Sequence, residues 1–169
     1  MARGEAAARQ LVQESPASGL PVDPEAVAER LGATVVRQPA PVELSGMLVR
    51  RDDQTVIGIN ADLDPTRQRF ALAHLVGHLQ LHRRRDLILD TVERHALGNL
   101  ASLPTDREET EANRFALELL APETAVRSAA VEADFRTAAQ LVDLLAPRFD
   151  LTRSTMAGRL MGLGIILDV

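Results

Sequence analysis

Cysteine, lysine, tyrosine and tryptophan do not occur in this 169-residue sequence, and each absence removes a chemistry. Without cysteine there is no disulfide, no thiolate nucleophile, no iron–sulfur cluster and no cysteine-ligated zinc. Without lysine no Schiff base can form, since all 19 basic residues are arginine. Four phenylalanines leave no stacking platform for single-stranded nucleic acid. Positive charge is in deficit as well. The 19 arginines face 24 acidic residues for a net charge of -5, which lacks the basic footprint of a dedicated nucleic-acid binder. No apolar run approaches a membrane span, and Met1-Ala2-Arg3-Gly4-Glu5 lacks a signal-peptide core. These absences predict a cytoplasmic protein with no direct contact to membrane or nucleic acid.

What is present is an ordinary globular balance, 46% hydrophobic and 25% charged. At roughly 150 residues per domain the length suits one domain, and a chain of this size buries about 70% of its unfolded surface without staples. We expect residues 1–133 to form that domain and residues 134–169 a helical tail on it. Residues 5–14 read as an amphipathic helix. Asp23 caps a second helix that has Pro24 at its first position and Gly32 just past its end. Residues 34–37, 46–51 and 55–60 read as strands, the last two joined as a hairpin at Asp52-Asp53-Gln54. Asp64-Pro65 opens a helix to about His82, and residues 83–104 read as mostly irregular. Thr105 and Glu108 form a capping box for a helix that ends before Pro122. Helices over 123–130, 136–146 and 153–163 complete an α+β fold with a small antiparallel sheet and a majority of helices. Over residues 134–163 charge nets only to +1, so the helix–turn–helix outline of the tail predicts a packed helical pair rather than phosphate recognition.

Between Phe70 and Leu81 the third helix is apolar in almost every direction, which predicts burial on nearly all sides. At about 100° per residue, His78 lies near 40° from His74 and His82 near 80°, so the three imidazoles form one stripe. Two histidines at i and i+4 can converge on one metal ion, or each can be a hydrogen-bonded core histidine. His74 and His82 stand about 12 Å apart along the axis, too far to share an ion. On the next helix Glu109 and Asn113 fall within the apolar arc, whereas Glu111, Arg114 and Glu118 fall on the face expected to carry surface pairs. A carboxylate aimed at the core needs a cation. Zinc held by His74, His78 and Glu109 supplies one and leaves a fourth position open. Asn113, one turn on, is placed to orient a ligand histidine as a second-shell partner. Phe70 and Phe115 are expected in the core, and Arg83-Arg84-Arg85 as a solvated helix cap.

These residues resemble the ImmA/IrrE family of zinc metallopeptidases along most of the chain. The resemblance is carried by Pro21-Val22-Asp23-Pro24, by Leu44-Ser45-Gly46 with Ile57-Gly58-Ile59-Asn60, and by Arg67 through His74. It continues through Glu109-Thr110-Glu111-Ala112-Asn113-Arg114-Phe115-Ala116 with Leu119-Leu120-Ala121-Pro122, then through Phe149-Asp150-Leu151-Thr152, Arg159-Leu160 and Leu163-Gly164. It implies a zincin-like domain, one zinc ion on His74, His78 and Glu109, and a helix-turn-helix repressor as protein partner in stress or mobile-element regulation.

One departure falls on the chemistry. The family's HExxH motif reads here His74-Leu75-Val76-Gly77-His78. Leu75 occupies the general-base position and can neither accept nor deliver a proton, a loss that typically costs 10²–10⁴-fold in rate. His82 and His95 are the substitute bases the sequence offers, each also readable as a satisfied core histidine or a solvated loop residue respectively. Two functions follow: a metalloendopeptidase with impaired catalysis, or a non-catalytic pseudopeptidase module that recognises a regulatory protein.

Overall fold

Eight consecutive buried residues, Ala71 to His78, mark the centre of the molecule. A computed structural model of the protein describes residues 3–13, 19–91 and 105–168. Those eight residues belong to α3 (Pro65–Leu81), which starts at Asp64, whose carboxylate accepts from the Arg67 amide at 3.0 Å. Around α3 lie α1 (Arg3–Gln13), α2 (Pro24–Arg30) and α4 (Asp106–Leu120) on one side, with the sheet on the other. The sheet comprises β1 (Ala33–Gln38), β2 (Leu44–Arg51), β3 (Gln54–Asn60) and β4 (Leu87–Thr91), in the order β1-β3-β2-β4. The chain continues with α5 (Glu123–Glu132), α6 (Ala138–Arg148) and α7 (Arg153–Gly162). The α+β expectation, with helices in the majority, is met.

Helix α3 has no polar face because it is covered all round. Its closest neighbour is α4, and Gly77 makes that approach possible. A Cβ there would stand 3.1 Å from both the Cα and the carbonyl oxygen of Ala112. The β2–β3 hairpin turns at Asp52, whose φ of 54° an aspartate tolerates better than most residues. At the other end of α3, Arg50 of β2 donates to the carbonyls of His78, Leu79, His82 and Arg85. These include carbonyls that a helix end leaves without partners.

The structure corrects the sequence reading at four places. The sheet is mixed: β2 returns antiparallel one strand beyond β1, and β3, its hairpin partner, fills the place between them, so β3 runs parallel to β1. Residues 87–91, expected to be irregular, form β4 antiparallel to β2. The expected polar face of α4 is covered in part, because α1 packs on this helix: Arg114 stays exposed, but Glu111 is half-buried. Glu118 is therefore buried, paired with Arg9 at 2.8 Å and with Arg159 of α7, while Arg159 also donates to the Ala121 carbonyl at 3.0 Å. Arg83 and Arg84 are exposed, but Arg85 grips Glu108 with two bonds of 2.9 and 2.8 Å.

Candidate metal centre

Three side chains from two helices meet at one point. His74 and His78 are one turn apart on α3, and their Nε2 atoms face each other at 3.0 Å. Glu109, in the first turn of α4, lies with Oε2 3.3 Å from His74 Nε2 and Oε1 3.4 Å from His78 Nε2. The capping box at Thr105 and Glu108 starts α4 at the residue that aims Glu109 inward. His74 and His78 are buried and Glu109 half-buried.

Hydrogen bonds assign the ring protons. His74 Nδ1 lies 2.9 Å from Asn113 Oδ1, so Nδ1 carries the proton and Nε2 a lone pair. His82 Nε2 lies 3.3 Å from Glu111 Oε2 and donates to it. Its Nδ1 then accepts from His78 Nδ1 at 2.8 Å, which leaves the Nε2 of His78 as a second lone pair. Two imidazole lone pairs and a carboxylate thus converge with no cation of their own, and the spacing suits bonds of about 2.0–2.2 Å to one ion. The donor set fits zinc.

The electrostatics carry the same signature. Burial alone pushes the Glu109 carboxyl up, but the imidazoles of His74 and His78 reverse this and hold it well below the usual carboxylate range. Burial lowers the pKa of His78 to about 4. Burial also depresses His74, yet Asp90, Glu109 and Asn113 outweigh it and leave its pKa raised.

A cavity of about 450 Å³ opens beside His74 and Glu109, walled by Ser45, Phe70, Asp90 and Asn113, and by Thr152, Ser154 and Thr155 around the start of α7. Phe115 is a core residue as expected, whereas Phe70 lines this cavity. Leu75 is fully buried and packs on β2, where only a glycine at position 46 admits it, since a Cβ there would lie 2.9 Å from its Cδ1. His82 does not line the cavity. Both its ring nitrogens are engaged, and it borders a separate cleft with Arg3 and Arg85. His95 lies outside the described residues.

Asp90 escaped the sequence reading. It stands on the inward phase of β4, two residues after the buried Ile88 and paired across the ladder with Gly46. Its Oδ1 is 3.9 Å from His74 Nε2, and burial with Glu109 nearby raises its pKa to about 6 against the pull of His74. The apolar run Leu87-Ile88-Leu89 was the available signal for a strand, with no alternation that gives Asp90 a face.

A helix bearing a His-x-x-x-His pair, laid on a small sheet and completed by a glutamate from the following helix, defines a zincin-like domain. Residues 28–161 match the IrrE N-terminal-like domain of peptidase family M78, and the chain belongs to that family. A solved structure of a Mycobacterium tuberculosis transcriptional regulator shares the fold, with a TM-score of 0.65 at 20% identity over 95% of this chain and 47% of that one. The chain spans about half the length of that regulator. Among curated proteins no match is found.

Proposed function

We propose that this chain is a zinc-binding, IrrE-like domain that acts on a helix-turn-helix transcriptional repressor in the cytoplasm, with catalysis impaired at Leu75. The observation that carries the reading is the triangle of His74, His78 and Glu109, whose donor atoms lie 3.0–3.4 Å apart. In this reading these three hold the ion, and Asn113 fixes the ring of His74. Bound zinc supplies Lewis acidity towards a peptide carbonyl. The cavity beside the triangle gives a polypeptide segment access to it. What the chain lacks is a proton carrier at position 75, where a buried leucine packs on the sheet. Among the described residues no helix is long and apolar enough to cross a membrane. The tail, residues 134–169, is on this reading part of the same unit, tied to α4 by Arg159 and Glu118.

Leu75 itself favours the second reading, a pseudopeptidase module that keeps the metal and the partner but does not cut. Both readings share the zinc site, and its test is thermal. A ligand bound only by the folded chain adds RT ln(1 + [Zn]/Kd), about 2.7 kcal/mol at 100-fold excess over Kd. At about 2–4 °C per kcal/mol this is a clear rise in melting temperature. His78→Ala and Glu109→Ala should each abolish the rise. A wild-type melting curve indifferent to zinc and to chelator, with no metal co-purifying, overturns the reading. Incubation of the zinc-loaded protein with a repressor then separates slow cleavage from binding alone.

A further inference from the structure

We propose that Asp90 is a fourth protein ligand, so that His74, His78, Glu109 and Asp90 together close the coordination sphere of the metal. The inference rests on the zinc site above and deepens its second, pseudopeptidase reading, because a closed sphere marks a structural metal rather than a catalytic one.

Three observations point to it. The first is place. Asp90 pairs with Gly46 across the β2–β4 ladder, on the sheet face that meets α3, and brings Oδ1 to 3.9 Å from His74 Nε2. Four ligands at about 2.0–2.1 Å from one zinc are separated by tetrahedral edges of about 3.3–3.4 Å. The triangle edges, 3.0–3.4 Å, are near that length, and Asp90 stands outside the group, 3.9 Å from His74, where a rotation of its side chain would bring it to the ion. The second is isolation. Among the described residues the only ion-pair partner of Asp90 is His74, and its carboxylate takes part in no hydrogen bond of the network around the site. Its side chain is only 16% exposed, at the cavity wall, and a carboxylate so little hydrated without a donor or a cation is costly. Here its charge also meets that of a second carboxylate, Glu109. The third is charge. With both imidazoles neutral, the two carboxylates sum to -2, which one divalent ion balances. A triad without Asp90 leaves that carboxylate uncompensated.

The experiment uses the full chain loaded with cobalt(II) in place of zinc, with acetohydroxamate as an external ligand. A closed site gives a tetrahedral cobalt spectrum that acetohydroxamate does not alter. Asp90→Ala opens one position, so the variant's spectrum shifts when acetohydroxamate is added. In parallel, Asp90→Asn should lower zinc affinity by at least about 10-fold, the loss that even an indirect partner of a ligand causes. The metal-free Asp90→Asn protein should melt no lower than wild type, since a buried charge has been removed. That pairing of weaker metal binding with undiminished stability separates a ligand from a merely structural residue. If the wild-type cobalt spectrum responds to acetohydroxamate as the Asp90→Ala spectrum does, or if Asp90→Asn keeps wild-type zinc affinity, the fourth-ligand assignment is overturned while the three-ligand site stands. If the folded wild type takes up no metal at all, both fall together.

Discussion

His78 donates from Nδ1 to His82, and His82 donates from Nε2 to Glu111, so a line of hydrogen bonds runs from the triangle of His74, His78 and Glu109 to a carboxylate at the far side of α4. Glu111 is held in turn by Arg107 at 3.0 Å and approached by Arg3 at 3.6 Å. The helical wheel assigned Glu111 to a solvated face and left His82 outside the site, because it records direction and not what arrives to cover that direction. The line has a measurable consequence. Loss of a partner that fixes a ligand's tautomer typically weakens metal binding 10–100-fold. His82→Ala and Glu111→Gln should each lower zinc affinity by about that factor in a chelator-competition titration, without abolishing binding. Asn113 stands in the same relation to His74.

Helices α3 and α4 carry the whole triangle, so their separation sets its size. Gly77→Ala would press a methyl group against the Ala112 backbone at 3.1 Å, and overpacking of this kind typically costs 1–3 kcal/mol. We expect a loss of that size in urea denaturation. The start of α4 gives a pH-dependent prediction. The hydrogen bond from Arg85, with those of Thr105, holds the Glu108 carboxyl at about 2, against 4.5 for the free group. A depressed folded pKa means stability that is present above pH 4.5 and is lost as pH falls towards 2. Glu108→Gln should therefore be less stable than wild type at pH 7, with the gap in urea midpoint closing over that acidic range. Much at this scale was legible beforehand. Asp64, Thr105 and the Asp52 turn announced their elements by local chemistry, and the apolar circumference of α3 announced its burial. β4 was not legible, since five residues after an arginine run give little period to read and its pairing partner lies some 40 residues earlier in the chain. Asp90 was missed with it, whereas His74, His78 and Glu109 declared themselves as polar residues on apolar arcs.

The molecule as a whole is tied by ion pairs that amphipathic patterns conceal. Glu118 joins Arg9 of α1, Arg159 of α7 and, through the 3.4 Å bond from its amide, Glu123 at the start of α5. Breaking a buried pair on one side typically costs about 3–5 kcal/mol. Arg159→Met should fall at the lower end of that range in urea denaturation, because Arg9 remains as a partner for the carboxylate. Arg50 ties strand to helix in another way. Its guanidinium reaches from β2 over the carbonyls of His78 and Leu79 and on to those of His82 and Arg85. Fraying is usually the cheapest opening available to a helix end. At this end it would uncover a half-buried arginine as well, so the last turn of α3 and the middle of β2 must open together. Their amides should share one slow rate of native-state deuterium exchange, so that His78, one corner of the triangle, opens only together with the strand.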